Sequence, residues 1–345
     1  MTPPGGGAAP LRIAVDAMGG DYAPAKVVDG AMAAARYSGV AVTLVGQTPA
    51  IEAELARHPD RHLLDVRIVD APDVIGMSES PAQALRRKPR ASVRVAMELV
   101  ADGSASGVVT AGHTGAAVVA AYAGFGMLPH VDRPALAPAI PTRSGMAVLL
   151  DAGATVECRA SHLLQFGIMG AAYARVLLNV ETPHVGLLSI GEEEGKGNDL
   201  TREAYRLLKS APVQFVGNIE AREVFSGSAD VIVCDGFTGN VALKLSEGLV
   251  ETVEELLGNE LSSTFSSQVG YLLSRRAFRR FRKRVDYSEY GGAPLLGVAG
   301  LVLVCHGRSS VKAMRNAVVA ASRFAADGVV QQVAGQVARA LEHHG

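Results

Sequence analysis

The feature that most constrains this 345-residue chain is a recurring pattern: a short apolar run, a turn of aspartate or glycine, then a segment with helical spacing of apolar residues. Examples of the apolar runs are LRIAVD (11–16), AVTLVG (41–46) and VGLLSI (185–190). Strands that alternate with helices in this way form parallel sheets covered by helices. The pattern predicts an α/β protein with a doubly wound, mostly parallel sheet.

Composition indicates a globular protein with no bulk charge preference. Apolar residues make up 48% of the chain and the formal net charge is -1, so no global attraction to nucleic acid or to a membrane is expected. No run approaches the ~20 apolar residues of a membrane-spanning helix. MTPPGGGAAP lacks the charged and apolar regions of a signal peptide, so we expect a cytoplasmic location. We expect residues 1–10 to form a flexible tail and residues 11–345 to form a single large α/β domain.

The three cysteines are isolated, which argues against a zinc site and against a disulfide framework. Cys234 and Cys305 lie in apolar strand contexts, so we expect them in the core. Cys305 precedes His306, but adjacent strand residues point to opposite faces. A Cys–His nucleophilic pair is therefore not expected.

Two predicted strand-to-helix loops contain candidate ligand-binding residues, because ligands bind where parallel strands end. The first loop contains Asp16, Gly19, Gly20 and Asp21. Asp21 has an alternative role as a cap of the helix predicted over 24–36. The second loop enters a helix, and its backbone N–H groups predict an anion site. It consists of Gly112, His113, Thr114 and Gly115.

The loop IGEEEGKGN (190–198) contains one lysine, Lys196, between two glycines that allow close approach of a ligand. A helix is predicted to begin at Asn198 or Asp199. The loop is not a P-loop, because three glutamates intervene and Gly197 follows the lysine. A plain strand-to-helix turn is the alternative interpretation.

Asn240 lies in DGFTGN (235–240), after another apolar run. A neutral amide can donate a hydrogen bond to a developing oxyanion without titrating. Amides at such positions more often cap loops, so both interpretations stay open.

Residues 241–284 differ from the rest of the chain. They predict two helices, and seven of the ten residues 275–284 are basic. One interpretation is a hairpin, acidic against basic, packed on a dimer partner; the other is a basic and aromatic surface for an anionic partner such as a membrane. Nucleic acid is disfavoured because no binding motif is recognised. The apolar stripe of the first helix is Leu245, Leu249, Val253 and Leu256.

Eight motifs between residues 13 and 310 together resemble the bacterial phosphate acyltransferase family of phospholipid synthesis. In chain order they are IAVDAMGGDYAP, TAGHTGAAVVA, LLDAGA, QFGIMGAAYA, VGLLSIGEEEGKGN, FVGNIEAREV, DVIVCDGFTGNVALKLSEG and YGGAPLLGVAGLVLVCHGRSS.

The resemblance implies an enzyme that moves a fatty acyl group from acyl carrier protein to inorganic phosphate. The product, an acyl phosphate, would serve an integral membrane acyltransferase that acylates glycerol 3-phosphate. The resemblance also implies a homodimer with a Rossmann-like fold related to isocitrate and isopropylmalate dehydrogenases and to phosphate acetyltransferase. Residues 241–284 are the candidates for its projecting helices, which touch the bilayer and make the protein a peripheral membrane protein. No metal and no cofactor is expected.

The resemblance assigns catalytic positions to Lys196 and Asn240. Lys196 would neutralise phosphate, and Asn240 would donate to the oxyanion. The chain departs from the family pattern at His113, Thr155, Glu157 and Ser189. The substrate-binding residues that we predict are Asp16, Gly19, Gly20, Asp21, Gly112, His113, Thr114, Gly115, Asp235, Gly239 and His306.

Acyl carrier proteins are acidic, so a basic surface should receive them. One candidate is the run 275–284. The other is the cluster of Arg86, Arg87, Lys88 and Arg90, at the basic end of a long loop that the sequence predicts over 71–92. Two other functions compete with acyl transfer: a decarboxylating dehydrogenase of the same fold, which needs a nicotinamide cofactor and usually a divalent metal, and a non-catalytic adaptor at a lipid surface.

Overall fold

The computed structural model describes residues 11–285, 289 and 291–342, so the predicted tail over 1–10 lies outside the described residues. The chain divides into two compact units. The first unit contains Met1–Gly126 and Val298–Val330, and the second contains Met127–Gly297 and Gln331–Gly345. The single large domain stays a prediction.

Strands and helices alternate along most of the described chain, as the recurring pattern predicts. The strands are β1 (Arg12–Asp16), β2 (Ala41–Gly46), β3 (Val66–Asp70), β4 (Gly107–Thr110), β5 (Ala135–Leu136), β6 (Ala139–Pro141), β7 (Met146–Leu150), β8 (His184–Ser189), β9 (Gln214–Glu220), β10 (Val231–Val233), β11 (Ala293–Leu296) and β12 (Val302–Val304).

The helices are α1 (Ala25–Ser38), α2 (Thr48–Leu55), α3 (Pro81–Arg87), α4 (Ser92–Ala101), α5 (Thr114–Phe125), α6 (Ala160–Leu178), α7 (Asp199–Ser210), α8 (Gly236–Ser263), α9 (Phe265–Val285), α10 (Val311–Ala326) and α11 (Val329–Glu342). Two short 3₁₀ helices cover Arg61–Leu63 and Ala221–Glu223.

In the first unit, β3, β2, β1, β4 and β12 pair in that order, and every pair is parallel. The chain passes from β1 outward to β3 and then returns to place β4 on the other side of β1. Such a reversal of strand order is where open α/β sheets bind ligands, outside the carboxyl ends of the strands. The loops after β1 and β4 lie at this position.

In the second unit, β6, β7, β10, β8 and β9 pair in that order. Only the edge pair of β6 and β7 is antiparallel, and the other pairs are parallel. β11 and β5 pair in antiparallel orientation. The prediction of an α/β fold built mainly on parallel strands is confirmed, but the described strands form two sheets where the sequence pattern predicted one.

Apolar side chains fill both units as their strand patterns require. The residues of β1 and β2 are all buried, which is typical of parallel strands covered on both faces. In the second unit, α6 is predominantly buried and packs on β7, β8 and β10. Cys234 and Cys305 are buried, as predicted.

One local prediction and one alternative interpretation are wrong. Residues 71–92 read as a long loop, but they contain α3, which begins with Pro81 at a position where a missing N–H costs nothing. Asp21 does not cap α1, because the N-cap position is Pro24. The helix start at Asn198 is confirmed, since the Asn198 side chain caps α7 through the Thr201 N–H.

The helices α8 and α9 contact each other, and Arg282 of α9 pairs with Glu254 of α8 at 3.2 Å. The predicted apolar stripe of α8 is exposed, with Leu245 at 73% and Leu256 at 61% of their full accessible surface. We refer to α8 and α9 as the helix pair. Within the described ranges, no helix combines the length and apolar content that crossing a bilayer requires.

Gly30 tests how closely α1 packs on α10. A Cβ at Gly30 would lie 2.4 Å from Met314 Cβ and 3.0 Å from the Val311 carbonyl oxygen, and neither neighbour can move without shifting the α10 backbone. We expect Gly30→Ala to lower the free energy of unfolding by roughly 1–3 kcal/mol. The control is Gly335→Ala in α11, where no atom lies within 4 Å of the added Cβ; it should be neutral or stabilising by up to about 1 kcal/mol. Urea unfolding of both variants measures the difference, and equal effects would contradict close packing at Gly30.

Candidate active site

Asp16 ends β1 and is buried beneath the loop that follows it. Its Oδ2 accepts a hydrogen bond from the Thr110 hydroxyl at 2.7 Å, and Thr110 Oγ1 accepts one from the Gly112 N–H at 3.1 Å. Burial raises the pKa of the Asp16 carboxyl above its ordinary value, against the effect of the hydrogen bonds that it accepts. These bonds join the loop after β1 to the turn before α5.

Gly19 and Gly20 are required for this close approach. A Cβ at Gly19 would lie 2.6 Å from Asp16 Oδ2 and 2.7 Å from the Gly112 nitrogen. Gly20 has a φ of +112°, in a region that favours glycine. The loop after β1 can therefore lie this close to Gly112 only because residues 19 and 20 have no side chain.

The loop after β12 joins the same edge. The Asp21 N–H donates to the Gly307 carbonyl oxygen at 2.8 Å, and Gly307 directly follows His306. Since β12 is the parallel neighbour of β4, the first unit brings together the predicted residues that follow β1, β4 and β12.

His113 is the N-cap residue of α5, and its Nδ1 accepts a hydrogen bond from the Gly115 N–H at 3.1 Å. Gly112 and Gly115 thus already donate their N–H groups inside the protein. Among the described hydrogen bonds, the N–H groups of His113 and Thr114 have no such internal acceptor. The predicted anion turn therefore narrows to these two donors at the N-terminus of α5.

In the second unit, Asp151 follows β7 and is fully buried. Its carboxylate accepts hydrogen bonds from the N–H groups of Leu136, Gly153, Ala154 and Thr155, at distances of 2.6–3.1 Å. Desolvation raises the pKa of this carboxyl to about 6, and the four backbone donors oppose that shift. Our site prediction did not include Asp151, although LLDAGA repeats the pattern of an apolar run that ends at an aspartate.

The first turn of α8 is pressed against the end of β7. A Cβ at Gly239 would lie 1.9 Å from the Asp151 carbonyl oxygen, so only glycine fits there. Asp235 is the N-cap residue, and it accepts hydrogen bonds from the N–H and the hydroxyl of Thr238 at 2.9 and 2.7 Å. Its carboxylate is thus engaged in capping α8.

Asn240 is exposed in the second turn of α8. A Cβ at Gly153 would lie 3.6 Å from the Asn240 Cβ, which places Asn240 beside the loop that follows Asp151. Its amide is therefore open to solvent and available to a ligand.

Lys196 is exposed in the loop between β8 and α7. Its N–H donates to the Glu193 carbonyl oxygen at 3.0 Å, and its Cγ would lie 2.9 Å from a Cβ at Gly191. Gly197 follows with a φ of +103°, a conformation that favours glycine.

The loops of Lys196 and Asn240 leave one edge of one sheet. β10 is the parallel neighbour of both β7 and β8, with Val233 aligned to Leu150 and to Leu187. The carboxyl ends of three adjacent strands thus carry Asp151, Asn240 and Lys196. An amide and an ammonium at such an edge can bind and polarise an anionic ligand.

The thiols are unsuited to nucleophilic catalysis. Burial raises the pKa of Cys158 and of Cys305 to about 12, and that of Cys234 well above its ordinary value, so each stays protonated near neutral pH. Across the described residues, no group of three or more His, Cys, Asp or Glu side chains is arranged to hold a metal ion.

A separate apolar cavity of about 950 Å³ lies between β6 and the helix pair. Its apolar lining includes Ile140, Leu243, Leu249 and Phe281. By contrast, Leu295 and Leu296 of β11 are buried, so they contribute to the core.

A family model and individual relatives each match at least nine-tenths of the chain. The model of a family described as "Fatty acid synthesis protein" matches residues 11–332. The phosphate acyltransferase of Geobacter sp. (strain M21) is 52% identical over 331 residues, which cover 96% of this chain and 93% of that protein. The phosphate acyltransferase of Nitratidesulfovibrio vulgaris (strain DP4) is 54% identical over 313 residues, 90% of each chain.

Solved structures share the fold at low sequence identity. A phosphotransacetylase from Streptococcus pyogenes has a TM-score of 0.61 and 16% identity, covering 92% of this chain and 94% of that one. A 4-hydroxythreonine-4-phosphate dehydrogenase from Klebsiella pneumoniae has a TM-score of 0.52 and 13% identity, covering 92% and 98%. At these identities the likeness concerns the fold alone.

The pKa of Asp151 predicts a pH dependence of stability. A carboxyl whose pKa is raised on folding, here to about 6 from 3.8, contributes stability at low pH that is lost as the pH rises through the folded value. We expect a loss of up to roughly 3 kcal/mol between about pH 4 and pH 6 from this group.

Asp151→Asn lacks this titration, although it is less stable overall because one amide oxygen cannot accept four N–H bonds. The measurement is the free energy of unfolding of both proteins against pH. The advantage of the wild type over Asp151→Asn should shrink as the pH rises to 6. An advantage that stays constant, or grows, over this range would show that burial does not raise the pKa of Asp151.

Proposed function

This chain belongs to the fatty acid synthesis protein family and, within it, to the phosphate acyltransferases, and from that membership we propose that it transfers a long-chain acyl group from acyl carrier protein to inorganic phosphate. The resemblance read from the ordered motifs is confirmed. The observation that carries the proposal is the 52% identity to a phosphate acyltransferase over 96% of the chain. The product would be an acyl phosphate for phospholipid synthesis.

The proposed reaction is a direct attack. An oxygen of inorganic phosphate adds to the thioester carbonyl carbon, and the tetrahedral intermediate then collapses. The C–O bond to phosphate forms, the C–S bond breaks, and the thiolate of the carrier takes a proton from solvent. Phosphate is itself a nucleophile at neutral pH, so no acyl-enzyme on a Ser or Cys is needed; the protonated thiols of the chain agree with this.

Lys196 and Asn240 have separate roles in this mechanism. The ammonium of Lys196 neutralises the phosphate and directs one of its oxygens at the carbonyl carbon, an effect of orientation. The amide N–H of Asn240 donates to the oxyanion of the tetrahedral intermediate. Their origin on adjacent strand ends, β8 and β10, supports a shared task.

We keep the predicted substrate-binding residues as part of the proposal. The N–H groups of His113 and Thr114 at the start of α5, beside Gly112 and Gly115, suit an anionic oxygen. Asp16, Gly19, Gly20, Asp21 and His306 shape the same edge of the first unit, and Asp235 and Gly239 hold the start of α8.

The finer fold assignment also belongs to the proposal: an isocitrate and isopropylmalate dehydrogenase-like fold, with residues 11–345 acting as one catalytic domain and residues 241–284 as a projecting arm. We propose a cytoplasmic homodimer that associates peripherally with the membrane. An integral membrane acyltransferase would then receive the acyl phosphate there. The exposed apolar stripe of α8 supports this, since such a surface normally has a partner.

The structure separates the two candidate basic surfaces by their ion pairs. Lys88 pairs with Glu79 at 2.5 Å and Arg90 with Asp70 at 3.3 Å, so half of that cluster is already neutralised. In α9, Arg282 pairs with Glu254. Four other arginines of α9 are exposed and form no ion pair within the described chain. They are Arg275, Arg276, Arg279 and Arg280. We therefore favour α9 as the surface that receives the acidic carrier.

Replacing Lys196 and Asn240 by alanine tests the mechanism. We expect Asn240→Ala to lower kcat by about 10²–10³ and Lys196→Ala to lower kcat/KM by at least about 10². Acyl phosphate formed from a long-chain acyl carrier protein and phosphate, quantified by mass spectrometry, is the measurement. Asn259→Ala, an exposed asparagine farther along α8, is the matched control and should retain wild-type turnover. Wild-type turnover in both Lys196→Ala and Asn240→Ala would refute the assignment.

Charge reversal in α9 tests carrier docking. The double variant Arg276→Glu, Arg280→Glu should raise the KM for acyl carrier protein by roughly tenfold at low salt while leaving kcat unchanged, since exposed ion pairs contribute up to about 1 kcal/mol each. The effect should shrink as salt increases. Arg86→Glu with Arg87→Glu is the comparison, and a rise in KM confined to that variant would move the docking surface to α3. Assays without lipid separate docking from membrane binding, which cosedimentation with anionic vesicles measures.

A further inference from the structure

Asn218 is a buried amide that contacts the loop carrying Lys196. It lies in β9 with 6% of its surface exposed, and its Nδ2 donates a hydrogen bond to the Glu193 carbonyl oxygen at 2.9 Å. In the described structure its Oδ1 has no hydrogen-bond partner, so this carbonyl alone sets the direction of the amide. A buried amide that makes a single hydrogen bond to the protein needs an explanation.

The carbonyl that Asn218 reaches is also the acceptor for Lys196. The Lys196 N–H donates to the Glu193 oxygen at 3.0 Å. Two donors thus converge on one oxygen, one from the Asn218 side chain of the edge strand β9 and one from the backbone of the lysine itself. The position of the lysine backbone is therefore fixed relative to β9.

An irregularity in β9 orients Asn218 towards this loop. The pairing of β8 with β9 shifts register, so that Val185 aligns with Phe215 but Gly186 aligns with Gly217. One extra residue in β9 reverses which of the following side chains point to each face. Without it, position 218 would point to the opposite face of the sheet.

We propose that Asn218 is a positioning residue for Lys196, which holds the 190–198 loop so that the ammonium stays at the sheet edge. The inference rests on the proposed function for the role of Lys196, and on geometry alone for the hold on the loop. Asn218 touches no reacting atom in this account and acts only through the Glu193 carbonyl.

Two measurements on Asn218→Ala test the proposal. The fold should persist, because the Glu193 oxygen keeps its bond from Lys196 and no buried acceptor is left without a donor. Hydrogen exchange of the Lys196 amide should become roughly fivefold to tenfold faster, as expected for the loss of one supporting hydrogen bond. Asn218→Ser, too short to reach the carbonyl, should behave likewise. An unchanged exchange rate would overturn the positioning role while leaving the proposed function intact.

The second measurement is a double-mutant cycle on acyl phosphate formation. Asn218→Ala should lower kcat/KM by roughly 10- to 100-fold in the wild type and by less than about twofold in the Lys196→Ala background, because effects that act through one group are not additive. An equal loss in both backgrounds would make Asn218 merely structural and overturn the inference.

The matched control is Gln165→Ala. Gln165 is a buried amide in α6 of the same unit. It donates a hydrogen bond to the Asp132 carboxylate at 3.0 Å and accepts one from the Asp132 N–H. The loop that it holds therefore does not contain Lys196. Gln165→Ala should leave the exchange of the Lys196 amide unchanged.

The two experiments can also give a mixed result. Faster exchange in Asn218→Ala together with full turnover in Lys196→Ala would confirm that Asn218 holds the loop. It would also refute the proposed catalytic role of the lysine, and so overturn the functional part of the inference.

Discussion

Each unit depends on the hydrogen bonds that a buried aspartate accepts at the end of a strand. Asp151 accepts hydrogen bonds from four backbone N–H groups, and Asp16 accepts one from the Thr110 hydroxyl. In both cases a glycine is pressed against the aspartate at a distance that excludes any side chain: Gly19 on Asp16 and Gly239 on Asp151. Burying a carboxylate is costly unless donors surround it. The backbone around each aspartate is therefore fixed, and the candidate ligand-binding residues start from these two fixed points.

Much of the fold follows from the sequence because it is encoded locally. Continuous apolar runs predict buried parallel strands, and the Asn198 side chain marks a helix start that the structure confirms. Features that lack a clear local pattern, or that depend on contacts distant in sequence, were not predictable. The α3 helix (Pro81–Arg87) is too short for a clear apolar period, and the extra residue in β9 shows only once its pairing with β8 is known. Asp151 was missed as a site residue although LLDAGA repeats the pattern of an apolar run that ends at an aspartate. What the sequence cannot show is that four N–H groups converge on its carboxylate.

For the candidate site, the sequence predicts which residues reach the sheet edge but not which of their hydrogen-bonding groups are already used. His113 illustrates this, because its Nδ1 accepts a hydrogen bond from the Gly115 N–H. The Gly115 N–H was predicted to bind an anion, but it is used in the cap of α5. Asn218 illustrates the converse. It carries no signal of its own in FVGNIEAREV, yet it shares the Glu193 carbonyl with Lys196. Residue type and spacing define candidates, whereas hydrogen-bond accounting decides what each of them can do.

The helix α8 joins the candidate chemistry to the exposed surface, because Asn240 lies in its second turn and the apolar stripe extends from Leu245 to Leu256. Because the four stripe residues are 44–73% exposed, covering them would contribute roughly 4–7 kcal/mol, whereas bringing two bodies together costs about 4–15 kcal/mol. The stripe alone thus supports weak association at most. The exposed arginines of α9 offer an electrostatic contribution as well, so the helix pair suits a surface that is both apolar and anionic better than one that is apolar alone.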